Sequence, residues 1–294
     1  MSIELDPGTP FSLDHTLDCG QVFRWNRIGD CWRGVVDGTV IEIVQRGSSL
    51  TYTSFPEGKD ASFLRSYLRL DDDLPEILAS INRDEVIAEA INGLKGLRLV
   101  RQDLWECLIS FICATYANIP RIRGIVENLS RRFGERIECG DDVFYGFPSG
   151  KVLAKATLGE LVDCGLGFRA RYVQRTARAL CEGFDLEGLK GMSYEDARKR
   201  LLTLTGVGLK VADCILLFSL NKLEAFPVDV WISRIMFEHY HRQLPLYSPS
   251  TRYRRINEFG RCYFGEYAGY AQEYLYHHYK STKWNKSGFS KYRD

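Results

Sequence analysis

The chain has 294 residues, 45% of them hydrophobic and 26% charged, with 39 Lys and Arg against 38 Asp and Glu for a net charge of +1. That composition excludes a disordered or collagen-like chain, and no apolar run approaches the ~20 residues that a membrane helix needs. The opening MSIELDPGTP lacks the charged-then-apolar layout of a secretory signal, so a non-secreted protein of two domains or one large one is expected.

The first ninety-odd residues begin with strand signals. Segments 21–27, 31–36, 39–45 and 50–54 are short, rich in Val, Ile, Phe, Trp and Tyr, and separated by Gly-containing turns, which predicts an antiparallel meander. From about Asp60 the apolar period becomes helical. Leu104, Leu108, Ile109, Phe111 and Ile112 make one stripe, and Ile119, Ile122, Ile125, Val126 and Leu129 the next. Further helices are predicted over 158–164, 169–181, 194–204, 209–220, 230–240 and 268–279, with proline breaks at Pro148, Pro227 and Pro245. The fold class is α+β: a small antiparallel sheet domain over 1–97 packed on a helical domain over 98–294.

The near-zero charge conceals an uneven distribution. Residues 1–97 carry a net −7 and residues 241–294 a net +6. Arg169, Arg171, Arg175 and Arg178 form one acid-free cluster; Arg121, Arg123, Arg131 and Arg132 form another. Such clusters fit either a phosphate-binding face or solvated helix surfaces. Lys283, Lys286, Lys291 and Arg293 in the 280–294 segment admit two readings, a phosphate-binding tail or a tail without function. The nine cysteines are odd in number, with irregular spacing and no four-Cys metal pattern, so reduced thiols and no metal are expected.

Chemistry concentrates in residues 193–240. Ser193 is placed as an N-cap, and Thr205-Gly-Val-Gly208 separates a helix ending near Leu204 from one starting at Leu209. Two glycines two apart allow φ > 0 and close approach of two helices. The amides Gly206, Val207 and Gly208 can then hold a phosphate at the start of the second helix, although plain helical hairpins use glycine too. Lys210 lies on that helix's first turn among apolar residues. Burial and the positive helix end predict a lowered pKa and a nucleophilic amine. Cys214 shares its face one turn on, and Asp229 after Pro227-Val228 is either only an N-cap or a desolvated carboxylate beside positive charge.

These motifs resemble the helix–hairpin–helix, Gly/Pro-rich, Asp-containing superfamily of DNA base-excision glycosylases, and within it the 8-oxoguanine DNA glycosylases. The resemblance runs from about Asp18 to Tyr279. It includes Cys19-Gly-Gln-Val-Phe-Arg-Trp25, Arg101-Gln-Asp-Leu-Trp-Glu-Cys107, Asn118-Ile-Pro-Arg121, Leu166-Gly-Phe-Arg-Ala-Arg-Tyr172, the hairpin within 194–220 ending in Lys210-Val-Ala-Asp-Cys214, Pro227-Val-Asp229 and Ala271-Gln272.

The resemblance implies a bifunctional enzyme acting on double-stranded DNA that contains 8-oxoguanine. In it Lys210 attacks the sugar C1′, expels the base, and forms a Schiff base that permits β-elimination 3′ to the lesion. Asp229 stabilises positive charge on the sugar. The flipped base lies between Cys214 and Tyr276, with Phe218 in the pocket. Gln272 reads its Watson–Crick edge, and the Gly20 carbonyl accepts from the N7–H that guanine lacks. No cofactor or membrane is implied, a monomer is expected, and the location is cytoplasm or nucleoid in a prokaryote and nucleus in a eukaryote.

Departures fall on the opposite-base side. Tyr116 stands where the family has asparagine, Phe168 where it has a wedge tyrosine, and Trp231 where it has histidine. Asn118 belongs to the same DNA-binding set, and Arg121 and Arg169 match cytosine-facing arginines. Relaxed preference for the opposite base is therefore expected, with Tyr116 stacking in the gap. The alternatives are a helix–hairpin–helix glycosylase for another damaged base and a non-catalytic DNA-binding module in which Lys210 contacts only phosphate.

Overall fold

The computed structural model of the chain describes residues 1–6, 8–244 and 248–286, with side chains described through residue 282. The Leu244-Pro245 break and the basic residues Lys283, Lys286, Lys291 and Arg293 lie outside those described side chains.

Five strands form one antiparallel sheet: β1 (Ser2–Glu4), β2 (Trp25–Ile28), β3 (Cys31–Val36), β4 (Thr39–Arg46) and β5 (Ser49–Phe55), in the order β1-β5-β4-β3-β2. Between β1 and β2 the chain inserts α1 (Leu13–Asp18), capped by Ser12. The meander follows its turn residues. Asp37 and Gly38 both take positive φ, so β3 returns as β4 through a two-residue loop that matches the twist of the strands. The expected strand from residue 21 begins only at Trp25. Gln21 is buried, donates from Nε2 to the carbonyls of Thr16 and Arg98 at 2.9 Å, and accepts from the Val100 amide at 2.7 Å. Those bonds replace a strand ladder and pin the Gly20 turn.

The helical body follows. α2 (Ala61–Tyr67), α3 (Leu74–Ile81), α4 (Glu85–Gly93) and α5 (Leu104–Cys113) each open on an aspartate whose side chain accepts first-turn amides: Asp60, Asp73, Asp84 and Asp103. α6 (Ile119–Phe133) opens on Asn118. A hairpin absent from the sequence reading, β6 (Arg136–Cys139) and β7 (Asp142–Tyr145), then leads to α7 (Gly150–Lys155), α8 (Leu158–Asp163) and α9 (Arg169–Cys181). The chain closes with α10 (Tyr194–Leu201), α11 (Leu209–Phe218), α12 (Val230–Tyr240), α13 (Arg252–Phe264) and α14 (Ala268–Lys286).

Two apolar cores result. One joins the sheet to α1 and α2 through Trp25, Trp32, Ile41, Tyr52 and Leu64. The other fills the helical body and takes in Leu74, Ile77, Ile81, Ile87, Ala90 and Leu97. Residues 74–97, assigned by sequence to the N-terminal domain, thus pack with the helices, where α3 and α4 meet α14. α11 runs through this core with every residue from Val211 to Phe218 buried, which fixes the first turn that carries the half-buried Lys210.

Candidate active site

The hairpin between α10 and α11 is built as its sequence suggests at one glycine and differently at the other. Ser193 caps α10, accepting from the Asp196 amide at 3.2 Å. Gly206 has φ +87°, and a Cβ there would come within 2.6 Å of Tyr172 Cβ, so close approach of α9 requires glycine. Gly208 instead is extended at φ −94° and serves as the N-cap of α11 without a side chain, while Val207 is buried beneath the turn. Among the described residues no side chain caps α11. Its leading amides are therefore available to an anion at the positive end of the helix.

Lys210 extends from this turn with its Nζ 4.7 Å from the centroid of the Phe111 ring. Phe111 is itself stacked on Phe218, whose ring centroid is 5.5 Å away, so Phe218 is the buried support of that floor. Cys214, one turn along α11, interacts with the amine side chain to side chain. Burial pushes the Cys214 thiol up to about 12, leaving it protonated at neutral pH. Asp229 caps α12, accepting from the Ile232 amide at 2.8 Å, and its charge reaches Lys210. Burial raises its carboxyl above the ordinary range, although the Ile232 amide and Lys210 pull the other way.

The expected lowering of the Lys210 pKa is not found. Burial does pull the ammonium down, but Cys214, Asp229 and Glu273 more than offset it, and the net direction is upward. Apolar residues on α11 were the visible part of its surroundings; the offsetting groups are Cys214 on the same helix, Asp229 at the α12 cap and Glu273 on α14. Lys210 rests as an ammonium on an aromatic face and must lose a proton before it can attack carbon.

α14 supplies the far wall. Gln272 is buried with its Oε1 unpartnered among the described residues, and the half-buried Tyr276 is an electrostatic neighbour of Asp229, Cys19 and Cys214. Gly20 has φ +102°, and a Cβ there would meet Ile119 at 2.8 Å and the Tyr276 ring at 3.8 Å. The backbone of Gly20 thus faces the Tyr276 side of the site. Lys280, expected in a tail, instead donates to the Tyr276 hydroxyl at 3.2 Å.

Sequence reasoning missed Glu273. It is 3% exposed, Oε1 has no hydrogen-bond partner among the described residues, and it interacts with Cys19, Lys280, Asp229 and Lys210. Burial pushes its carboxyl up to about 7. The available signal was an acid at i−3 from Tyr276 and i−7 from Lys280, on the same helical face as both.

The opposite-base set divides. Tyr116 is 92% exposed with φ +52°, and its ring meets Phe168, itself 52% exposed, edge to face at 6.5 Å. Arg169, expected to face a cytosine, is 2% exposed. Its guanidinium donates to the carbonyls of Thr115, Tyr116 and Leu166 and lies 4.4 Å over the Phe168 ring. It holds the two aromatics in place, a use that its charge alone did not suggest. Asn118 Oδ1 is engaged by the Arg121 amide at 3.0 Å as the α6 cap, and Arg121 is exposed. Trp231 is half-buried, with Arg234 5.5 Å over its ring. The other arginine cluster is largely ion-paired: Arg123 with Asp18, Arg131 with Glu127 and Arg132 with Glu160. Arg171 and Arg175 stand exposed on α9.

Comparison with known proteins places this arrangement. Residues 3–108 match the 8-oxoguanine DNA glycosylase N-terminal domain, and residues 109–248 match the HhH-GPD superfamily of base excision DNA repair proteins. A probable N-glycosylase/DNA lyase of Methanothermobacter thermautotrophicus is 32% identical over 92% of this chain and 94% of its own. The apo 8-oxoguanine glycosylase/lyase of Clostridium acetobutylicum is 33% identical, with a TM-score of 0.84 over 91% of this chain and 92% of that one. The same protein in complex with duplex DNA bearing cytosine opposite 8-oxoguanine is 31% identical, with a TM-score of 0.87 over 96% and 98%. This chain belongs to the 8-oxoguanine DNA glycosylase family of HhH-GPD base-excision repair proteins.

Proposed function

We propose that the chain excises 8-oxoguanine from duplex DNA and then cleaves the strand 3′ to the abasic site. The observation that carries this reading is the convergence of Cys214 and Asp229 on Lys210, whose amine lies over Phe111 at a helix start suited to phosphate. A base must leave the duplex to reach such a site. As the C1′–N9 bond breaks, its electron pair leaves with the base and positive charge develops on the sugar. Asp229 stabilises that charge from its fixed place at the α12 start. Lys210, after giving up a proton, forms the new bond to C1′ through its nitrogen. The protonated imine that follows acidifies the C2′ hydrogen and permits elimination.

On the lesion side, Gly20 offers its carbonyl to N7–H, Gln272 its unpartnered oxygen to the Watson–Crick edge, and Cys214 and Tyr276 the two faces of the base. A hydrogen bond that guanine cannot make is worth about 1–3 kcal/mol of discrimination. On the opposite side, Tyr116 and Phe168 stack in the vacated space while Arg121 meets phosphate or base. This tolerates any opposite base, and a strong cytosine bias in excision would contradict it. The chain acts as a monomer in the compartment that holds the chromosome.

Borohydride trapping tests the reading. Wild-type protein on an 8-oxoguanine duplex should give a covalent adduct that Lys210→Gln abolishes. A wild type that binds the duplex without forming an adduct would favour a non-catalytic binding module.

A further inference from the structure

Asp213 has no part in the chemistry above, yet it is the fully buried acid on the helix that carries Lys210. It reaches into a junction of three helices, α10, α11 and α13. Its Oδ1 accepts from the Tyr194 hydroxyl of α10 at 2.7 Å. Its Oδ2 accepts from the Arg198 guanidinium of α10 at 3.0 Å, the Asn257 amide of α13 at 3.1 Å and the Tyr253 hydroxyl of α13. A buried carboxylate met by so many donors, one of them cationic, is held in a single geometry.

Two of those donors continue to the segment that ends at Asp229. Asn257 Nδ2 also donates to the Phe226 carbonyl at 2.9 Å, and the Val228 amide donates to the Tyr253 oxygen at 3.4 Å. Phe226 and Val228 bracket Pro227, and Asp229 follows at once. The Phe226 ring is wedged against Gly260 of α13, where a Cβ would come within 2.5 Å of it. α11 therefore carries both Lys210 and Asp213, while Tyr253 and Asn257 tie Asp213 to the segment that ends at Asp229.

We propose that Asp213 is a positioning residue that fixes Asp229 relative to Lys210, acting through Tyr253 and Asn257. The inference rests on the reading that Lys210 and Asp229 perform base excision. Loss of the link leaves both groups in place but lets their separation drift. A shift of about 1 Å in such a pair costs on the order of 10²-fold in rate. Excision requires both groups, because charge develops on the sugar as the bond breaks. Schiff-base formation on a preformed abasic aldehyde requires mainly the amine.

The test compares single-turnover excision from an 8-oxoguanine duplex with cleavage of a preformed abasic duplex. The proteins are wild type, Asp213→Asn, Tyr253→Phe, Asp229→Asn and the double variants with Asp229→Asn. Tyr253→Phe removes one hydroxyl and leaves the buried charge pair intact, which keeps the test open if Asp213→Asn does not fold. Expected for Tyr253→Phe is a drop of about tenfold or more in excision, abasic cleavage within about threefold of wild type, and no added loss in the Asp229→Asn background. Equal losses in both reactions, or losses that multiply with Asp229→Asn, would overturn the positioning role while the proposed function stands. A wild type active in neither reaction would overturn the proposed function, and this inference with it.

Discussion

The two sides of the expected DNA gap are built from opposite materials. On the lesion side, ionisable groups are withdrawn from water: Lys210 over Phe111, Asp229 at the α12 cap and Glu273 with an unpartnered oxygen. On the opposite side, the rings of Tyr116 and Phe168 are exposed, and the buried Arg169 guanidinium donates to the Thr115 carbonyl and lies over the Phe168 ring. Buried charges interact strongly and with strict geometry, whereas exposed aromatics interact with any base that presents a π-face. With the proposed function, the difference assigns lesion choice to fixed polar groups and opposite-base contact to adaptable stacking.

The largest expected effect breaks the lesion side at its charge. Asp229→Asn keeps an excellent N-cap residue, so stability should change little. Loss of the negative charge beside the developing cation should slow single-turnover excision by roughly 10²- to 10³-fold. A loss below about tenfold would show that the carboxylate serves α12 and not the reaction.

Next comes pH. The folded state pushes the Glu273 carboxyl up to about 7 from the ordinary 4.5, chiefly through burial. A carboxyl with a folded value above its unfolded value binds its proton more tightly when folded. Stability from this group is therefore present at low pH and lost as pH rises from about 4.5 to about 7. The full difference is about 3 kcal/mol. Glu273→Gln should remove that component, so denaturant midpoints at pH 5 and pH 8 should differ less in the variant than in wild type. An unchanged difference would mean that the carboxyl titrates normally.

Gly20→Ala probes the carbonyl proposed to accept from the lesion. A side chain at φ +102° costs about 1–2 kcal/mol, and the new methyl group must also displace the flexible end of Ile119. Thermal melts should show that loss, and excision should fall further than stability explains because the carbonyl turns away. The smallest effect belongs to the opposite side. Tyr116→Ala should weaken duplex binding by about 1 kcal/mol, equally for C, A, G and T opposite the lesion. A loss confined to cytosine would replace the stacking account with base-specific contact.

Much of this was legible because it is local. Strand 31–36, helices 169–181 and 230–240, the Ser193 cap and the Asp229 cap were all visible in residue type and spacing, and the structure has them. What failed depends on partners distant in sequence. The Lys210 shift was read from burial among the apolar residues of α11, while the groups that reverse it are Cys214 on the same helix, Asp229 at the α12 cap and Glu273 on α14. Gln21 carried a strand pattern, but its side chain is engaged by Thr16, Arg98 and Val100. Arg169 belonged to an apparent basic cluster, and only the fold shows its guanidinium turned onto carbonyls. Glu273 was passed over because a lone acid in a helix is ordinarily solvated, and burial on α14 is a tertiary fact.

The central claim is that the ammonium over Phe111 becomes the nucleophile. The most direct measurement is the mass of the species trapped by borohydride on an 8-oxoguanine duplex, followed by peptide mapping. One protein–DNA adduct is expected, carried by the peptide that contains Lys210 and absent from Lys210→Gln. An adduct on another lysine, or undiminished trapping by Lys210→Gln, would contradict it.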